Sequence, residues 1–319
     1  IVVNGVFQYT GGSFTIDPGA TMVVGPAGQY THGVDGGTVP AAQWDSLSTL
    51  RLNGVMNTMP AGMDQAFGNI AWDGTQQAGD FTLPGGAGFS AHDIFILSTG
   101  PNSIHLTSAA KPELTINNLG VSNGTAVLGG GGPRKLHVKG NLEIYDPAWL
   151  YLTDTLNRSI DTLFLYGDYY HLMSGIGGGG PDSTAIVFCG TDTQSYMANS
   201  EVLTGYIDYL IRPGSILDIP AGDILGNGSL GNFTLMPGAT LVIRDDAGIW
   251  ASGGGGAIQV GGARNFSKQA NYCFYDGPSG YVYSGDGLPD TVNMLTINNT
   301  VSSGWYQEYY STTVMDTFA

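Results

Sequence analysis

A chain of 319 residues with only 11% charged side chains and a net charge of -16 carries far fewer ions than the roughly 25% of an ordinary soluble domain. Its 26 acids against 10 bases repel nucleic-acid phosphates and anionic membrane surfaces. Its 51 glycines follow no Gly-X-Y period, which excludes collagen, and no apolar run reaches the roughly 18 residues of a membrane-spanning helix.

Twenty-two of the acids are Asp and four are Glu. Asp favours turns and Glu favours helices, so strands joined by turns are expected. In chain order, alternating runs bounded by Gly, Pro, Asn and Asp predict strands at Ser13–Ile16, Thr49–Leu52, Ile94–Leu97, Leu114–Ile116, Lys135–Val138, Thr162–Leu165, Ala185–Phe188, Thr240–Ile243 and Leu295–Ile297. Helical patterns are confined to Met56–Phe67 and Trp149–Ile160, and Pro, Gly or Asp interrupts both. The recurring apolar and β-branched residues argue against disorder. Cys189 and Cys273 are too few for a disulfide scaffold. They either pair in an oxidising compartment or stay as two unpaired strand thiols.

Internal repetition points to an architecture. Gly12–Val24 reads GSFTIDPGATMVV and Gly231–Ile243 reads GNFTLMPGATLVI, identical at eight of thirteen positions. PGSILDI at Pro213–Ile219 echoes PGATLVI at Pro237–Ile243, four-glycine runs begin at Gly129, Gly177 and Gly253, and LTINN occurs at Leu114–Asn118 and again at Leu295–Asn299. A unit of roughly 20–25 residues cannot bury its own apolar face, so it stacks on its neighbours. Phe14 and Ile16 would point inward and Thr15 outward, and Pro18-Gly19 and Pro237-Gly238 fit type II turns. Roughly thirteen coils spaced about 4.8 Å apart would make a rod near 60 Å long. The expected fold is therefore an all-β parallel β-solenoid, a β-helix, forming one elongated body over residues 1–319. The unequal spacing of the repeats marks 56–78 and 145–170 as decorations on the stack. The alternative is a string of tandem β-sandwich modules, with Asn53-Gly54, Asn123-Gly124 and Asn227-Gly228 as hairpin turns. Ile1 opens mid-strand, so a piece of a longer chain is expected.

Several segments together carry a resemblance: VVNGVFQYTGGSFTIDPGATMVV, HGVDGGTVPAAQW (His32–Trp44), FGNIAWD (Phe67–Asp73), GTDTQSY (Gly190–Tyr196), AIQVGGARNFSKQANYCFYDG (Ala257–Gly277) and GDGLPDTVNMLTINN (Gly285–Asn299). In this order they resemble a repeat region of large Bacteroidota surface proteins, commonly exported by the type IX secretion pathway. The resemblance implies a secreted, extracellular or cell-surface β-solenoid in adhesin-like chains, with no catalytic residues to carry over. It also implies O-glycosylation at Asp-Ser/Thr-aliphatic triplets, whose acceptors here would be Ser46, Thr155, Thr162 and Thr291.

Candidate chemistry is sparse. Asp245-Asp246 beside Arg244 could form an acid pair only if a turn brought both to one site, because adjacent strand residues face opposite ways. His32 and Asp35 near Trp44 could be a base and its orienter, but no Gly-x-Ser-x-Gly elbow accompanies them. The five histidines fall at no metal-pair spacing, and the glycine runs lack the Gly-Lys-Ser/Thr of a phosphate loop. Asp154, Asp161 and Asp168, seven residues apart, are candidate Ca²⁺ ligands, and no other cofactor is expected. Tyr169, Tyr170, Trp305 and Tyr306 are candidate ligand-stacking aromatics, with core ladder positions as the alternative. The expected function is an extracellular stalk, fibre or adhesin segment without catalysis. Its partners would be further segments of the same chain, identical subunits or surface glycans, and it would neither bind nucleic acid nor insert into membranes. The alternatives are a carbohydrate-active β-helix enzyme (polysaccharide lyase or hydrolase), marked by carboxylates clustered in one groove, and a carbohydrate-binding module, marked by a row of exposed aromatics.

Overall fold

The computed structural model describes the chain apart from residues 13, 131, 155–160, 182, 200, 276–279, 281, 299–305, 308–311 and 319. Among the described residues the regular elements are all strands, and the pairings between named strands are parallel, with one isolated antiparallel bridge between Gly179 and Tyr206. One sheet of 14 strands runs from Val6–Tyr9 to Thr313–Phe318, taking one strand from each successive coil. Beside it lie a seven-stranded sheet from Glu113–Ile116 to Arg264–Phe266 and a six-stranded sheet from Phe81–Thr82 to Val202–Thr204. Through the middle of the chain each coil visits the seven-stranded, the long and the six-stranded sheet in turn, as in Glu113–Ile116, Leu119–Val121 and Thr125–Val127. The protein is thus a three-faced parallel β-solenoid, and tandem sandwiches are not its architecture. Asn123-Gly124 and Asn227-Gly228 turn corners between such strands, with Gly124 at φ 95° and Gly228 at φ 99°.

Period-two alternation explains the faces. On the long sheet an inward column runs through Phe7, Tyr30, Leu50, Ile70, Ile94, Leu119, Leu142, Tyr169 and Tyr196, in register from coil to coil. On the seven-stranded sheet Leu114, Leu136, Leu163, Ile186, Tyr209 and Phe233 stack likewise. These columns meet in one continuous apolar core. Each fully buried aliphatic side chain there contributes about 1.5–3 kcal/mol, although no single coil encloses it.

Coil length varies, as the repeat offsets require. Gln29 pairs with Thr49, 20 residues on, whereas Thr240 pairs with Asn271, 31 residues on. The stretches 56–78 and 145–170 are not wholly decorations: Ala66–Asp73, Trp149–Tyr151, Asp161–Leu165 and the beginning of Tyr169–Leu172 are ladder strands. The expected strand at 13–16 is also absent over Phe14–Ile16, which pack against the core without ladder pairing. Cys189 and Cys273 are free thiols, so the unpaired alternative holds.

Candidate functional site

The corners show how the polar residues are used. Asp93 Oδ1 accepts the Asn118 N–H (2.8 Å), Asn118 Oδ1 the Asn141 N–H (2.8 Å), Asn141 Oδ1 the Asp168 N–H (2.9 Å) and Asp168 Oδ1 the Ser195 N–H (2.8 Å). One side-chain ladder thus links five coils along a single edge. A second runs from Asp208 to the Asn232 N–H (2.6 Å) and from Asn232 to the Ala263 N–H (2.9 Å). A corner lifts backbone donors out of the sheet ladder, and a short acceptor side chain from the preceding coil satisfies them. Elsewhere Asp35 Oδ1 caps the N–H groups of Met56, Asn57 and Thr58. These bonds hold its carboxyl down at about 2, the Asn57 N–H acting most strongly. That contribution is present above the ordinary value of 3.8 and is lost as pH falls through the lowered one.

Glutamines serve the same purpose at other bends, Gln194 buried and Gln65 half-buried. Gln194 accepts from the Gly190 N–H (2.7 Å) and donates to Leu165 O (3.1 Å) and Gly167 O (2.6 Å). Gln65 accepts from the Ala42 N–H and Trp44 Nε1 and donates to Pro40 O and Gly62 O. Sequence reading missed both. Their only signal was a Gln in a strand-rich, Gly-flanked setting.

One polar cluster lies inside the solenoid. Tyr196 Oη donates to Glu201 at 2.9 Å, and Glu201 Oε2 lies 3.0 Å from His171 Nδ1. Tyr169 Oη sits 3.1 Å from the same His171 nitrogen, and its ring stacks on Tyr196 at 4.5 Å and 6°. Burial pushes the Glu201 carboxyl above its usual range, with the bonds from His171 and the tyrosines opposing it. Burial and the nearby Glu201 charge together raise the phenols of Tyr169 and Tyr196.

Outside, the six-stranded sheet carries a hollow of about 380 Å³ lined by Asp80, Ser103, His105, Val127, Tyr151, Thr153 and Asp154. Its strands put Ile104, Ala126, Leu150 and Ile176 inward, in register. The alternate positions face out: His105, Val127, Tyr151 and Gly177 in one row, and Ser103, Thr125, Trp149 and Gly175 in the other. The Trp149 and Tyr151 rings lie parallel, with centroids 5.5 Å apart and an interplanar angle of 14°. Asp80 Oδ1 accepts the Ser103 N–H at 2.7 Å. The arrangement offers carboxylate, hydroxyl and imidazole groups beside a flat apolar surface.

The other sequence candidates are dispersed. His32 and Asp35 do not form a dyad: His32 Nε2 donates to Gly36 O at 2.7 Å while Asp35 caps the 56–58 loop. Asp245 caps the Ala247 N–H, Asp246 lines a separate hollow with Trp250 and Tyr283, and Arg244 binds Asp218 through Nε (3.0 Å) and Nη2 (2.9 Å). Asp154, Asp161 and Asp168 are not brought together. Asp154 lines the outer hollow, Asp161 is buried and caps the Arg134 N–H, and Asp168 belongs to the corner ladder. Among the described residues no group of three or more His, Cys, Asp or Glu is placed to hold a metal ion. Tyr169 is a core residue, fully buried, which corrects its reading as a ligand aromatic; Tyr170 beside it is half-buried and faces outward. Ser46 is exposed in the turn closed by Asp45, whose Oδ1 accepts the Leu47 N–H, while Thr162 and Thr291 are half-buried in strands. Thr155, Trp305 and the Tyr306 side chain lie outside the described residues.

Fold and surface together define the class, a three-faced parallel β-solenoid with side-chain ladders at its corners. Comparison with family models, curated proteins and solved structures gives no match.

Proposed function

We propose that this chain is a non-catalytic, extracellular structural and adhesive segment: a stiff spacer whose outer faces make contacts. The reading is carried by the corner ladders. Asp93, Asp168, Asp208 and Asp35 hold backbone donors of a later coil or loop. A stack tied along its edges resists being pulled apart coil from coil. The acidic surface, net -16, favours solubility outside the cell and disfavours nucleic acid. The surface-protein resemblance points the same way.

A carbohydrate-active enzyme is the second reading, favoured by the two carboxylates lining one hollow. The two readings separate in one assay. The purified chain, incubated with neutral and uronate-containing polysaccharides, is expected to release no new reducing ends and no unsaturated uronate products. Product release that Asp80→Asn or Asp154→Asn abolishes would make it an enzyme. Fractionation of the producing cells is expected to place the protein outside the cytoplasm, and recovery in the cytosol alone would end the extracellular reading.

A further inference from the structure

We infer that the hollow beside Trp149 and Tyr151 is a binding site for a neutral, gluco-configured oligosaccharide, whose pyranose rings lie on the two aromatic faces. This rests on the adhesive reading above and supplies its ligand class.

Trp149 pairs with Gly175 and Tyr151 with Gly177 in the next coil, and all four positions face outward, either side of the buried Leu150 and Ile176. A Cβ on Gly175 would lie 2.3 Å from Trp149 Cδ2 and 2.5 Å from its Cε2, and one on Gly177 would lie 2.2 Å from Tyr151 Cδ1. The rings therefore occupy the space of the missing side chains, and the indole lies flat against the sheet. Neither glycine has a positive φ, so backbone conformation does not explain them. Glycine inside a strand weakens it. Two glycines in register, each under an aromatic ring, serve to lay those rings down. The glycine of the next coil accounts for one side of each ring. The half-buried rings leave their other side to solvent.

The result is a two-ring platform, with ring planes within 14° of each other, in which the Tyr151 ring borders the polar hollow and the Trp149 ring lies beside it. A pyranose whose hydroxyls are all equatorial presents axial C–H groups on its faces and hydroxyls around its rim. The C–H faces match the negative face of an aromatic ring. The rim hydroxyls match Asp80, Ser103, His105, Thr153 and Asp154 around the same hollow. An ionised carboxylate has about four acceptor sites, so Asp80 can hold the Ser103 N–H and still accept sugar hydroxyls. The carboxylates and the net charge of -16 repel uronate and sulfated chains, which leaves neutral glycans as the ligand class. Two rings side by side allow two successive sugar units to stack, so an oligosaccharide is expected to bind better than a monosaccharide.

The test is titration of the full chain with cellohexaose, glucose and oligogalacturonate, followed by tryptophan fluorescence and by saturation-transfer NMR. Cellohexaose is expected to bind measurably, glucose more weakly and oligogalacturonate not at all. Trp149→Ala should weaken cellohexaose binding by about tenfold or more, with an unchanged melting curve to show that the fold is intact. Asp80→Asn keeps an acceptor for the Ser103 N–H and should weaken binding several-fold. Absence of cellohexaose binding at millimolar concentration, binding indifferent to Trp149→Ala in a folded variant, or preference for oligogalacturonate would each overturn the inference. Those failures would leave the spacer reading standing, because it is read from secretion, lack of product release and coil geometry.

Discussion

At the scale of single residues, stability rests on polar groups placed where the coil must bend. Gln194 satisfies one donor and two acceptors at a buried bend. Gln194→Leu fills similar space but leaves those groups unpaired, which costs about 1–3 kcal/mol. Urea unfolding should show this as a lowered midpoint with an unchanged slope. Glu201 gives a second expectation. Burial raises its pKa above the ordinary 4.5, so the folded protein binds that proton more tightly than the unfolded chain. The contribution is fully present below the ordinary value and is lost as pH rises through the raised one. Thermal melts of wild type and Glu201→Gln should therefore shift in the variant's favour as pH rises above the ordinary value of 4.5. A pH-independent difference would show that ionisation of Glu201 is not the cause.

At the scale of elements, strands are interchangeable and corners are specific. The word GSFTIDPGATMVV and its partner GNFTLMPGATLVI share their turn: the Ala20 N–H donates to Asp17 O, and the Ala239 N–H donates to Met236 O, with Gly19 and Gly238 at φ 87° and 75°. They differ in which corner they turn. Met22–Val24 belongs to a short N-terminal sheet that precedes the long one, whereas Thr240–Ile243 is in the long sheet itself. LTINN behaves likewise, in the seven-stranded sheet at Leu114 and in the long sheet at Leu295. Alternation and Pro-Gly turns were therefore legible in the sequence, because they depend only on neighbours along the chain. The face a strand occupies was not, since any alternating tripeptide suits any side of the solenoid. The outer hollow was illegible for the same reason. Asp80, His105, Tyr151 and Asp154 are spread over 75 residues and meet only once the register is set. The buried Tyr169 shows the converse: adjacent tyrosines look like a surface cluster until alternation sends one of them inward.

Two substitutions test these corners and faces. Asn141→Ala removes the acceptor that holds the Asp168 N–H and is expected to cost about 1 kcal/mol, with Asn141→Asp restoring most of it. Denaturation of both variants reads the difference. Gly175→Ala places a methyl group where Trp149 lies. The ring is at the end of a side chain and can swing outward, so the fold should persist. Tryptophan emission should shift to the red, and quenching by acrylamide should rise. Unchanged emission would mean that the indole does not rest on Gly175.

At the scale of the whole molecule, stability is shared between neighbouring coils, because the apolar columns cross every coil and close within none. Separation along the stack should therefore grow with the number of coils between two sites and not with the number of residues. Gln8, Thr31, Arg51, Ala71, Phe95, Gly120 and Glu143 form one register row, which continues through Tyr170 to Met197. Spin labels at Gln8, Glu143 and Met197, with Cys189 and Cys273 replaced, allow pairwise distances to be measured by pulsed electron resonance. At about 4.8 Å per coil the six steps to Glu143 give about 29 Å and the eight steps to Met197 about 38 Å, with narrow distributions. Broad distributions, or distances that do not lengthen in step with coil number, would contradict the stacked solenoid.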